Sequence, residues 1–426
     1  MTATPYLSVV ATSRNDNHGG NMLRRMQIFI NGLLEQCRRH QVDAELIIVE
    51  WNPPSDNPSL ADVLSWQIAD SPCVVRIIQV PPELHDQLNH SASLPLFQMI
   101  AKNVGIRRAR GQFVLATNID LLFSDELFSL IASRQLQTGA VYRLDRHDAA
   151  SDVPLHAPLS EQLDYCAQNI LRICHKDGFT EPQREETPVE LDGQVAAESQ
   201  SRGYKQILEP AKPVLVPLRK VYQRLFPKSV KDSILRMVPR DVANWLISQN
   251  LLTAQLPPPR SESDPETPLH EQEEDLSALW RYPRLHTNAC GDFTLMSRED
   301  WFAVRGYPEW EIFSFHLDSV LLYIAHYAGI KEIILDDPIR MYHIEHTSGW
   351  TPETERTQIL NKRLALLKVP QLTSEQFDAM AKLMHQLNKP LILNDESWGM
   401  VAASLPEMTI ASDLENQIAK SVSQIS

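Results

Sequence analysis

Residues 101–120 read Ala-Lys-Asn-Val-Gly-Ile-Arg-Arg-Ala-Arg-Gly-Gln-Phe-Val-Leu-Ala-Thr-Asn-Ile-Asp, and this stretch decides the fold class. A helix carrying Asn103 and Gly105 is expected to end at Gly111. An apolar strand, Phe113 to Ala116, follows and breaks into a polar turn at Asn118-Ile119-Asp120. That order places an acidic side chain just beyond the carboxyl end of a buried strand, where open α/β sheets bind their ligands. An acid there can hold a divalent cation, and the cation can neutralise a diphosphate.

Outward from this stretch the chain alternates strand and helix. Tyr6 to Ala11 is an apolar run entering the turn Thr12-Ser-Arg-Asn-Asp-Asn-His-Gly-Gly20, a buried first strand and its loop. Met22 to Arg39 has helical spacing, with Met22, Met26, Phe29, Leu33 and Leu34 on one side and Arg24, Arg25 and Arg38 elsewhere. Glu45 to Glu50 is a second buried strand, stopped by Trp51-Asn-Pro-Pro54, and Val74 to Val80 a third that ends at Pro81-Pro82. Helices are expected over Leu60 to Ile68, Leu96 to Arg110 and Asp125 to Gln135, and a further strand over Gly139 to Leu144. Past a long interruption, Phe293 to Ser297 reads as a strand, Arg298 to Val304 as a helical turn, Asp318 to Ala328 as a helix and Ile330 to Leu335 as a strand. Residues 351–390 read as mostly helical. This rhythm predicts an α/β fold: a Rossmann-like, mostly parallel sheet with right-handed crossovers, flanked by helices.

The interruption runs from about residue 147 to 280. It holds Pro154, Pro158, Pro182 and Pro188, an acidic segment around Glu185 to Glu198, and the run Pro257-Pro-Pro-Arg-Ser-Glu-Ser-Asp-Pro-Glu-Thr-Pro268, whose composition is that of a disordered linker. Between them, residues 205–240 carry nine Lys or Arg against two acids, interleaved with Leu218, Val221, Leu225, Ile234 and Leu235. Such a region either lies on an anionic membrane surface or forms the solvated face of a small helical subdomain, with five prolines cutting any helix short. The expected division is therefore 1–146, an insert at 147–280 that is partly helical and partly disordered, 281–410, and a loose tail at 411–426.

Composition narrows the function classes. Hydrophobic residues make up 43% and charged ones 22% of the 426 residues, the balance of a globular enzyme. A formal net charge of -14 argues against nucleic acid as a partner, which favours a basic face. Five scattered cysteines without paired zinc spacing suit free thiols in a reducing compartment. The first ten residues lack the basic start and longer apolar run of a signal peptide, and no apolar stretch is long enough to span a membrane. The expected location is cytoplasmic, with peripheral membrane contact through residues 205–240.

Asn103, Gly105, Ala109 and Gly111, followed by a strand and Asp120, resemble the Asn-x-Gly-x-x-x-Ala-x-Gly helix and Asp-x-Asp turn of GT-A-fold glycosyltransferases. Asn118 stands where the first acid of that turn belongs; an amide keeps an oxygen ligand but loses its charge. The block Asn288 to Glu309 looks like the Gly-rich strand, Ser-Arg-x-x-Trp turn and Gly-Tyr-Pro-Glu loop that these enzymes place below the donor sugar. The resemblance covers roughly residues 5–145 and 285–350 and leaves the insert out. It implies transfer of a sugar from a nucleoside diphosphate, with UDP as the expected nucleotide, to a hydroxyl of a sugar or glycolipid acceptor.

The same resemblance implies the site residues. Thr12, Arg14, Asp16, Glu50, Lys102, Asn103 and Asn118 would hold the nucleotide sugar, Asp120 with His343 and His346 a divalent cation (Mn²⁺ or Mg²⁺), and Asp318 would be the general base. Asp292, following Gly291, would bond donor-sugar hydroxyls in the catalytic centre. His316 replaces the first acid of the acidic pair these enzymes often carry before the helix. Read on their own, Arg14 and Asp16 also suit an Asx-type turn, Asp318 a helix N-cap, and Trp301 a core position. Two other functions compete: a catalytically degenerate GT-A module serving as a binding scaffold, and a nucleotidyltransferase. The second rival usually needs a lysine in the first loop, and Thr12 to Gly20 has none.

Overall fold

Continuous apolar runs, buried on both faces, become the central strands of a mixed α/β unit. The protein's computed structural model describes residues 4–66, 71–181, 282–346 and 353–410. They belong almost wholly to one unit built from Met1–Glu186 and Pro283–Ser426. The acidic segment, the 205–240 basic region, the 257–268 linker, Thr347 to Trp350 and the 411–426 tail lie outside the described residues.

In chain order the first half contains β1 (Leu7–Ser13), α1 (Met22–His40), β2 (Ala44–Trp51), α2 (Leu60–Val63), β3 (Cys73–Val80), α3 (Pro82–His85), α4 (Gln98–Arg108), β4 (Phe113–Thr117), β5 (Leu121–Phe123), α5 (Asp125–Ala132) and β6 (Ala140–Leu144). β7 (Arg146–Ala149), α6 (Leu159–Gln168), β8 (Ile170–His175) and β9 (Gly178–Thr180) follow. The second half contains β10 (Phe293–Ser297), α7 (Arg298–Val304), α8 (Leu317–Tyr327), β11 (Lys331–Leu335), β12 (Met341–Ile344), α9 (Glu353–Leu367), α10 (Ser374–Leu387) and β13 (Glu407–Thr409).

Eight strands form one sheet in the order β11-β6-β10-β4-β1-β2-β3-β13. β4, β1, β2 and β3 are parallel, as are β6 and β11, while β10 runs antiparallel to both its neighbours and β13 antiparallel to β3. The expected mostly parallel sheet is thus a mixed one. Helices cover both faces, as a parallel sheet requires. Val9, Ala11 and Leu46 share a core with Met22, Met26, Phe29 and Leu33 of α1. Val10, Ile47 and Val49 face α4, which approaches so closely that a Cβ on Gly105 would lie 2.4 Å from Val10 Cγ1.

The expected interruption begins later than residue 147. Arg146–Ala149, Ile170–His175 and Gly178–Thr180 form a second sheet with two strands that flank the site, in the order β5-β12-β7-β8-β9. These strands are short and carry charges, so no alternating or apolar run announces them; inside the fold the charges neutralise one another. The helix expected from Leu60 is only four residues long before Leu64 turns extended. Asp318 is not an N-cap: His316 takes the cap position with φ 66°, and Asp318 falls in the first turn of α8. Among the described residues no helix is long and apolar enough to cross a membrane.

Candidate functional site

β1 leads through β2 toward β3, whereas β4 lies on its other side, so the strand order reverses between β1 and β4. Ligands of open α/β sheets bind in the crevice beyond the carboxyl ends at such a reversal. The loop 14–21 leaves β1 there, and Asn118-Ile119-Asp120 leaves β4. β12 pairs with β5 and β7 just past this point and brings His343 across from the far half of the chain.

Asp120, His343 and His346 come together, with one ligand atom from each lying within 4.8 Å of the others. His346 Nε2 is 3.5 Å and His343 Nε2 3.8 Å from Asp120 Oδ2. Asp120 Oδ1 is buried and has no hydrogen-bond partner. The other ring nitrogen of His343, Nδ1, faces Asp148 Oδ1 at 3.0 Å. A carboxylate behind an imidazole fixes its tautomer and aims the free nitrogen, the usual support of a metal-binding histidine. Burial drives the His346 pKa down to about 4 although Asp120 opposes it, so this ring is neutral at pH 7. Burial also disfavours the charge on His343, but Asp120 and Asp148 outweigh it and raise its pKa. One carboxylate and two imidazoles, with an unpartnered oxygen among them, fit a divalent ion; the imidazoles suit Mn²⁺ better than Mg²⁺.

Four residues of this constellation were missing from the site as the sequence reading assembled it. Arg25 of α1 sets Nη1 2.8 Å from Asp120 Oδ2 and donates from Nη2 to the carbonyls of His18 and Gly20, at 2.6 and 3.2 Å. Asp148 is the hub behind the histidine: Arg146 Nε is 2.7 Å from it, and Arg172 donates to it at 2.8 and 2.6 Å. Burial alone would raise its pKa, yet Arg146, His343 and Arg172 hold it far below the ordinary carboxylate value. Arg146 also reaches Asp292 Oδ2 at 2.6 Å. The sequence reading set Arg25 apart from the apolar side of α1, but it is buried on that stripe, three residues after Met22 and four before Phe29. A cation on that stripe needs a buried partner.

Lys102 is fully buried beneath the crevice and donates to the Gly291 carbonyl. Burial lowers its pKa to about 8, with Asp292, Asp318 and Asp120 all opposing the drop. Asp292 is tied by Arg146 and by the amide of Asn118, whose own oxygen accepts from Gln98 at 2.9 Å. Asp318 is half-buried against Gly291, where a Cβ would meet its Oδ2 at 2.9 Å, and its Oδ1 accepts from the Ser319 amide at 2.8 Å. The first loop presses on the cluster as well. A Cβ on Gly19, whose φ is +69°, would lie 2.5 Å from His346 Nδ1.

Other expected contacts are committed elsewhere. Both oxygens of the fully buried Glu50 are in use, one by the Leu60 amide and one by Gln79, each at 2.8 Å. Asn103 clamps the loop after α7 through the Tyr307 carbonyl, the Tyr307 amide and Glu309. Arg14 pairs with Asp16 at 3.2 Å and donates to the Pro95 carbonyl, while Asp16 accepts from the His18 amide in its own turn. Thr12 is buried near the end of β1, its hydroxyl unpartnered. Trp301 is a buried core residue, as its sequence context suits, and its Nε1 bonds to the Val114 carbonyl. Compared with protein-family models and with curated proteins, the chain matches none.

Proposed function

We propose that the protein is a GT-A-type glycosyltransferase, moving a sugar from a nucleoside diphosphate, with UDP expected, to an acceptor hydroxyl. One observation carries the reading: Asp120, at the strand-order reversal, meets His343 and His346 from more than two hundred residues away, with Asp292, Asp318 and Lys102 around the same crevice. Polar groups of this kind, converging from separate segments on one crevice, are what a binding site for a charged ligand needs.

A dication held by Asp120, His343 and His346 would supply charge that stabilises a departing diphosphate. The chain's own residues do the rest. Arg25 and Lys102 add positive charge at the crevice, where developing negative charge is stabilised without reorganisation. Asp292, fixed by Arg146 and Asn118, offers a stationary acceptor for sugar hydroxyls. Asp318, with Oδ1 held by its neighbour's amide, would take the proton of an attacking hydroxyl. In-line placement of the two substrates supplies most of the acceleration.

A panel of nucleotide sugars, screened by thermal shift with and without Mn²⁺, tests this. Stabilisation by one UDP-sugar, growing by about 2.7 kcal/mol at a hundredfold excess over Kd, is the expected result. Asp120→Asn should abolish donor turnover while retaining the fold; normal transfer in that variant refutes the assignment. The binding-scaffold reading is favoured by Asn118 and His316, which stand where acids are expected, and stabilisation by no nucleotide sugar would support it.

A further inference from the structure

The divalent-ion reading sets one buried positive charge against the ion that the cluster would bind. Arg25 has a side chain only 4% exposed and lies 2.8 Å from Asp120 Oδ2, the oxygen that His346 and His343 also face. Three nitrogens thus converge on a single carboxylate oxygen. An ion taken up by the cluster would bond at about 2.0–2.2 Å to its oxygen and nitrogen ligands. With Arg25 still in place, a dication on Asp120 Oδ2 would be no more than about 5 Å from the guanidinium, close enough for strong repulsion in a buried site.

We propose that Arg25 is a built-in counter-ion that competes with the divalent cation for Asp120. The inference rests on the metal reading above and adds what sets the affinity. Asp120 Oδ2 is already paired in the protein as it stands, so an ion gains that oxygen only against the guanidinium. Arg25 is also anchored by the carbonyls of His18 and Gly20, which hold its charge at the site and not out in solvent. The cation site is consequently weak by construction, and removing a positively charged residue that touches it strengthens binding.

Mn²⁺ binding to the full-length protein, measured by electron paramagnetic resonance of the free ion, decides the matter. Arg25→Gln should bind Mn²⁺ about tenfold more tightly than the unaltered protein or better, because repulsion is lost and Asp120 is freed. Arg25→Lys, which keeps the charge, should stay within about threefold, and Asp120→Asn should lose binding. Arg25→Met fills the same space without charge and carries the comparison if the glutamine variant loses its native circular dichroism spectrum. A folded, uncharged variant that binds no tighter than the unaltered protein overturns the counter-ion role and leaves the metal reading standing. Absence of Mn²⁺ binding in every form, the unaltered protein included, overturns both.

Discussion

Replacing Asp148 by Asn removes one charge from the most heavily paired carboxylate of the site. Its side chain is 1% exposed, and its oxygens face Arg146 at 2.7 Å, Arg172 at 2.8 and 2.6 Å, and His343 at 3.0 Å. Asparagine keeps the shape but turns one acceptor into a donor aimed at guanidinium groups. Arg172 is only 3% exposed, so water does little to offset its weakened bonds to this side chain. Deleting one member of a buried ion pair costs about 3–5 kcal/mol. For a unit of this size that is a fall in Tm of roughly 2 °C per kcal/mol, about 6–10 °C in all. Urea unfolding at several pH values measures it. The folded pKa of Asp148 lies below its unfolded value, so its contribution is complete above the unfolded pKa and is lost as pH falls through the folded one. The gap between parent and variant should therefore be constant above about pH 5 and narrow below about pH 4. A variant within about 1 kcal/mol of the parent at pH 7 would show that the arginines and His343 do not depend on this carboxylate.

Two further substitutions probe the framework. Lys102 has a folded pKa of about 8, below its unfolded value, so the native state binds fewer protons than the unfolded state across alkaline pH. Relative to Lys102→Met, the parent should gain roughly 3 kcal/mol as pH rises from about 8 to 10.5; a flat difference in urea unfolding would contradict the burial argument. Gly105→Ala should cost about 1–3 kcal/mol by driving α4 off Val10 and Val49, and a denaturation midpoint equal to the parent's would show that this contact has slack.

Legibility in the sequence followed strand chemistry. β1, β2, β3, β4, β6, β10 and β11 were all placed to within two residues, because strands buried between two helical layers read as apolar runs. β5, β7, β8, β9, β12 and β13 were not seen. Arg146-His-Asp-Ala149 looks like solvated turn, and only the partners supplied by β8 and β12 make its burial tolerable. A charge run and a buried ion network are identical in one dimension. The site divides in the same way: Asp120, His343 and His346 were named together, while Arg25, Arg146, Asp148 and Arg172, which hold and aim them, were not.

The amino-acid order alone determined the strand–helix rhythm and an acid just beyond the fourth strand, since burial and backbone breaks are written locally. Only the tertiary structure decided which polar groups are spoken for. Glu50 and Asn103 have every polar atom satisfied by residues 10 to 206 positions away, whereas Asp120 retains an unpartnered oxygen. Hydrogen-bond and ion-pair partners are chosen by proximity in space, and sequence separation carries almost no information about that.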